Sequence, residues 1–195
     1  ASGLTSVCDR DTSAEDMALY QQLRDRVELP VRVSLSRSIN TLQPMSNVVA
    51  DIRRVAAEPL FRQRDDWLRT VAVKVYLDGG MLTGSAYLRE PWGVSDIYAI
   101  TDPTYRGTLF IPVEQLIPMV RVAVECGLQF TAHTVGDGAV HTLLDAYAAV
   151  NRDIPVRPAR PCISHANFMS AEAVKRLPEL GVAVDVQPPW LYLDT

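Results

Sequence analysis

The chain predicts an α/β fold, a parallel sheet whose strands are joined by helical crossovers. Three observations carry this. Short apolar runs alternate with helix-period segments along all 195 residues, the pattern that packs helices against a parallel sheet. Capping and breaking residues fall between the runs. Two of the three histidines close successive strand-like runs, Leu128-Gln-Phe-Thr-Ala-His133 and Pro161-Cys-Ile-Ser-His165, and strand C-terminal ends are where parallel α/β proteins place their chemistry.

The elements follow in order. Leu4 to Cys8 reads as a first strand. Thr12-Ser-Ala-Glu15 has the form of a capping box, and Met17, Tyr20, Leu23 and Val27 continue at helical spacing until Pro30. Val31, Val33 and Leu35 alternate with Arg32, Ser34 and Ser36, a second strand. A helix covers about Asn47 to Glu58, and Val71 to Leu77 is a third strand dense in β-branched residues. Residues 78–110 carry five glycines and two prolines with no sustained period, which marks a long binding loop or lid. A helix starts at Pro112, runs through Leu116, Val120 and Val124, and stops at Gly127; Pro118 is expected to kink it. After strand Leu128–His133, Asp137 caps a helix through Val140, Leu143, Leu144 and Tyr147. A Pro- and Arg-rich connector leads to strand Cys162–His165. Ser170 caps the next helix, Gly181 closes it, and Val182 to Val186 is the sixth strand.

The composition, 48% hydrophobic and 22% charged, suits one globular domain over 1–195. A net charge of -4 without a basic track argues against nucleic acid as a partner. No apolar run has the length of a membrane span. Cys8, Cys126 and Cys162 are far apart and form no CxxC, which argues against a disulfide framework and fits a reducing, cytoplasmic setting. The ends, strand-like at Gly3 and without tail composition at Thr195, suggest a segment of a longer protein.

Five further residues join the two histidines as candidates. Lys74 lies mid-strand on the face of Ala72 and Tyr76. It is either a stem-packed lysine reaching water or a group turned into a site. Asp78, at the end of that strand, is a turn residue or a substrate or metal contact, and Gly79 beside it permits close backbone approach. Asp137 is a helix cap or a partner behind His133, and Gln187 ends the last strand at the mouth of the site. GxSxG, Walker A and GxGxxG are missing. Ser164 and His165 are neighbours on a strand, so their side chains are expected on opposite faces.

Together, Val73-Lys74-Val-Tyr-Leu-Asp78-Gly79, His133-Thr-Val-Gly136-Asp137-Gly-Ala139, Ile163-Ser-His165-Ala166 and Val184-Asp-Val-Gln187-Pro188 occur in an order that resembles the metal-dependent amidohydrolase superfamily. The resemblance is to its family 3 branch, which includes N-substituted formamide deformylases. Gly3-Leu-Thr-Ser-Val7 and the Asp16, Tyr20, Leu23 helix fit the same branch. The resemblance implies a (β/α)8 TIM-type barrel with one or two divalent metals, zinc first among them, of which this chain would be roughly strands two to seven. It implies that His133 and His165 are metal ligands, with Lys74 a carbamylated bridging ligand. A metal there would acidify a water that attacks a non-peptide amide, formamide or cyclic amide. The chain departs from the branch in three ways. It has no His-x-His, it stops before the strand whose end carries the branch's catalytic aspartate, and it has Ser-His165-Ala-Asn167 where the branch has Glu-His-Ala-Gln. The expectations are then an incomplete barrel of low activity, self-association over open sheet edges, and a small amide as substrate. A partial barrel acting only as a binding module stays open beside this, as does a metal-free lyase with Lys74 as Schiff-base nucleophile.

Overall fold

A computed structural model describes residues 3–63 and 65–190. Six strands, β1 (Ser6–Thr12), β2 (Arg32–Ser38), β3 (Leu68–Tyr76), β4 (Gln129–Thr134), β5 (Cys162–His165) and β6 (Ala183–Asp185), form one sheet in sequence order. Every neighbouring pair is parallel. The helices are α1 (Ala14–Asp25), α2 (Met45–Ala57), α3 (Pro59–Arg62), α4 (Val113–Glu125), α5 (Asp137–Asn151) and α6 (Ala171–Leu180). The result is an α/β partial TIM-type barrel: a curled sheet, helices outside, a concave face inside.

The outer face of the sheet holds the core. Val73 and Val75 of β3, Phe130 and Ala132 of β4, and Ile163 of β5 are buried against Ile52 of α2, Leu116 and Val120 of α4, and Leu143 of α5. Removing this apolar surface from water supplies most of the driving force for the fold. Tyr147 of α5 is fully buried, and its hydroxyl lies 2.9 Å from the Phe130 carbonyl oxygen and 3.0 Å from that of Cys162. A smaller cluster of Leu29, Val33, Leu35 and Leu68 sits under Met17, Tyr20 and Leu23 of α1.

Two bulges decide which side chains enter the concave face. In β3, Leu35 pairs with Thr70 but Ser36 pairs with Ala72, so β3 contains one extra residue. A one-residue slip turns every later side chain to the other face. Leu68 and Thr70 are buried before the slip, and Val73, Val75 and Leu77 after it, which turns Lys74 to the inside. In β1, Asp9 pairs with Leu35 and Thr12 with Arg37, again one residue too many, and this brings Asp11 to the inner cavity.

Several boundaries differ from the sequence reading. β1 runs on to Thr12 because Thr12 stays paired in the sheet and its carbonyl accepts from Arg37 Nη1 at 2.9 Å. The capping box therefore falls on Ser13 and Asp16, not Thr12 and Glu15. Gly136, not Asp137, is the N-cap of α5. α3, a single turn opened by Pro59, had no apolar period to announce it. α4 continues through Pro118. Ser170 and Gly181 cap α6 as expected, Gly181 in the left-handed conformation.

Candidate active site

His133 on β4 and His165 at the end of β5 stand edge to face with ring centroids 4.7 Å apart. Each ring has one partner that fixes its tautomer. His133 Nε2 lies 3.2 Å from the Gly79 carbonyl oxygen. A carbonyl only accepts, so Nε2 carries the proton and Nδ1 is bare. His165 Nδ1 lies 2.8 Å from Gln187 Oε1, and Gln187 Nε2 donates to the Asp185 carbonyl oxygen at 3.3 Å. With the amide oriented that way, His165 Nδ1 is the donor and Nε2 is bare. Burial pushes His133 down to about 4, with the Gly79 bond opposing it. Burial lowers His165 as well. Both rings are neutral at pH 7, each with one free nitrogen lone pair.

The backbone at His165 is unusual. His165 and the following Ala166 have φ of 84° and 51°, a region that costs an ordinary residue about 1–3 kcal/mol. The twist brings His165 and Ser164 to the same cavity, whereas strand alternation predicts opposite faces. The Ser164 hydroxyl pairs with Thr131 Oγ1 at 3.2 Å and has no bond to His165, so no Ser–His dyad forms. Trp190 stacks on the His165 ring at 5.3 Å and 13°.

The cavity, about 290 Å³, is lined by Lys74, Tyr76, Asp11, Ser164, His165 and Gln187 among others. Lys74 is 3% exposed. Among the described residues no carboxylate forms an ion pair with it. Its Nζ lies 5.5 Å from the centre of the Tyr76 ring, and burial lowers its pKa, favouring the neutral amine. Tyr76 donates to Asp11 Oδ2 at 2.5 Å. That bond, with burial, raises the phenol to about 12. Asp11 escapes sequence reasoning: it lies in the polar run Asp9-Arg-Asp-Thr12, and only the bulge turns it inward.

The other candidates, Asp78, Gly79 and Asp137, do not line this cavity and hold the loops around it. Asp78 is 1% exposed, and its carboxylate accepts from the amides of Val135 (2.9 Å), Gly136 (2.8 Å) and Tyr87 (2.9 Å). Burial raises it to about 6 in spite of these three bonds. It ties the loop after β3 to the loop after β4. Gly79 contributes its carbonyl to His133, and a Cβ there would meet Ser85 Oγ at 2.1 Å. Asp137 Oδ1 accepts from Arg89 N at 2.9 Å, so it anchors the 78–110 segment. That segment is closed at its base by a bridge between Asp78 and Leu109, and Trp92 packs edge-on against Tyr98 and Phe168.

The donor set suits part of a divalent-cation shell. Two neutral imidazoles with bare nitrogens are zinc-type ligands, each with its second nitrogen held by a hydrogen bond. Among the described residues, no three His, Cys, Asp or Glu side chains stand together as a metal group. The chain thus presents two imidazoles and an unpaired lysine.

Comparison with known proteins gives a consistent picture. A family model described as "Amidohydrolase family" matches residues 1–194. The chain is 30% identical over 129 residues to Protein LONG AFTER FAR-RED 3 of Arabidopsis thaliana, a match covering 66% of the chain and 21% of that protein. Its fold resembles the crystal structure of an uncharacterized metal-dependent hydrolase from Pyrococcus furiosus, with a TM-score of 0.77, 22% identity, and coverage of 98% of this chain and 36% of that one. A second such structure, from Pyrococcus horikoshii OT3, gives a TM-score of 0.75 at 22% identity, covering 98% and 35%. The chain therefore spans about a fifth of the curated relative and about a third of the solved structures.

Proposed function

The chain belongs to the amidohydrolase family, and on that premise we propose that it forms part of a metal-dependent hydrolase acting on non-peptide carbon–nitrogen bonds: amides, formamides or cyclic amides. The observation that carries this reading is the pair of neutral imidazoles 4.7 Å apart at the ends of adjacent strands, each with a bare nitrogen. In this reading His133 and His165 hold a divalent cation, zinc first among the candidates. When bound, such a cation supplies Lewis acidity to a carbonyl and to water.

The chain's own residues do the rest. The Gly79 carbonyl and the Gln187 amide hold the two rings in the tautomers that leave a donor nitrogen free. Lys74, buried and unpaired, has the amine chemistry to take up CO2. An N–C bond forms, a proton leaves to water, and the product is a carbamate with oxygen donors. Asp11, held by Tyr76, presents a carboxylate at the cavity mouth, suited to the N–H side of an amide substrate. The Pyrococcus furiosus protein that shares this fold is described as an uncharacterized metal-dependent hydrolase, which supports the hydrolase reading; the formamide branch rests on the order of the sequence motifs.

The test is amine and formate release from N-substituted formamides, and ring opening of cyclic amides to the amino acid, by the longest natural polypeptide that carries this sequence. His133→Ala and His165→Ala should each lower kcat/KM by ~100-fold or more, the scale of losing a group that acts in the transition state. Unchanged turnover in both variants would rule the reading out.

A further inference from the structure

One side chain joins almost the whole concave face. Arg10 leaves β1 and donates to Gln129 Oε1 of β4 at 2.6 Å, to Asp185 Oδ1 of β6 at 3.1 Å, and more weakly to Ser36 Oγ of β2 at 3.4 Å and Cys162 Sγ of β5 at 3.7 Å. Its Nε completes a two-pronged ion pair with Asp185 at 2.7 Å. β1 and β6 are the two edges of the sheet. Five interstrand steps separate them, roughly 24 Å along the sheet, so only a tightly curled sheet lets one arginine span from one edge to the other. Bidentate arginine–carboxylate geometry fixes orientation as well as distance.

The far end of this link runs into the site. Asp185 takes Arg10 on its carboxylate and offers its backbone carbonyl to Gln187 Nε2. Gln187 Oε1 accepts a hydrogen bond from His165 Nδ1–H. A continuous path therefore leads from Arg10 through Asp185 and Gln187 to the His165 ring. His133 is held separately, by Gly79.

We propose that Arg10 is a positioning residue for His165: by clamping β6 through Asp185 it holds Gln187 where it fixes the His165 tautomer with Nε2 bare. The meaning of that bare nitrogen rests on the hydrolase reading above; the tautomer itself does not, so the two can fail separately. Conserving charge alone is insufficient in this account, because a lysine offers a point charge without the fork that grips Asp185 and Gln129 together.

The experiment is long-range 1H–15N correlation on the 15N-histidine-labelled chain without metal, for wild type, Gln187→Leu, Arg10→Met and Arg10→Lys. Wild type should show a protonated Nδ1 with a bare Nε2 at His165, and the reverse at His133. All three variants should lose the single-tautomer pattern at His165 and keep it at His133, which serves as an internal control for the fold. In parallel, Zn2+ binding by the folded variants should weaken by ~10–100-fold. An unchanged His165 pattern in Gln187→Leu, or in both Arg10 variants, overturns the proposal. So does a simultaneous change at both histidines, which would mark a loss of fold instead of a directed link. If Arg10→Met does not fold, Arg10→Lys decides by the same criterion.

Discussion

At the scale of single residues, the site is made by local rules and by two exceptions to them. His133 and His165 were legible in the sequence because each closes an apolar run, and strand ends are where a parallel sheet opens to solvent. Lys74 was legible as an anomaly, a cation among β-branched residues. Its direction was not, because one extra residue in β3 sets it and no side-chain pattern in Leu68–Tyr76 announces a bulge. Asp11 was missed for the same reason in β1. Asp78, read as a turn residue or a substrate or metal contact, accepts all three of its hydrogen bonds from backbone amides. A prediction follows from its burial. The folded-state pKa is raised, to about 6 from 3.8, so the folded chain binds this proton more tightly than the unfolded chain. The stability that Asp78 contributes is full below pH 3.8 and is lost as pH rises through 6, on the order of 3 kcal/mol in all. Urea unfolding of Asp78→Asn across pH 4 to 7 should lack that downward slope. A variant that keeps the wild-type slope would show that another group titrates there.

At the scale of elements, periodicity and capping located all six strands and five of the six helices. α2, α4 and α6 each present one apolar stripe, and Ser170 and Gly181 bracket α6. The errors lie where tertiary contacts override local signals. Thr12 carries a good capping side chain but is retained by the sheet, and Asp137 is drawn to the Arg89 amide, which leaves Gly136 as the cap. The 78–110 segment was legible only as aperiodic. What the sequence could not convey is how closely it lies on the barrel end. A Cβ on Gly136 would stand 2.0 Å from the Tyr87 carbonyl oxygen, closer than any real contact, and both partners are backbone, so neither yields cheaply. Gly136→Ala should therefore lift the segment, disturb the amide that Asp78 accepts, and destabilise the fold by about 1–3 kcal/mol. Limited proteolysis should show faster cutting within 78–110. Wild-type cutting rates and stability would mean that the segment is not held by this contact.

At the scale of the whole molecule, the sheet of the described residues is a curled half-barrel whose outermost strands, β1 and β6, are tied across its concave face by Arg10 and Asp185. The alternation of strand and helix signals made the parallel topology readable, since parallel neighbours require crossovers. The curl was implied by the resemblance to a barrel family, whereas the tie between Arg10 and Asp185, 175 positions apart, leaves no local pattern to read. The chain belongs to the amidohydrolase family and brings two imidazoles together, and among the described residues no three His, Cys, Asp or Glu side chains stand as a metal group. The proposed function rests on those two imidazoles, together with Lys74, holding a divalent cation. The most direct measurement is elemental analysis of the purified chain after dialysis against zinc, next to a His133→Ala, His165→Ala double variant. Near-stoichiometric zinc in the wild type and its loss in the double variant are the expected result; equal zinc in both, or none in either, would overturn metal binding by this pair.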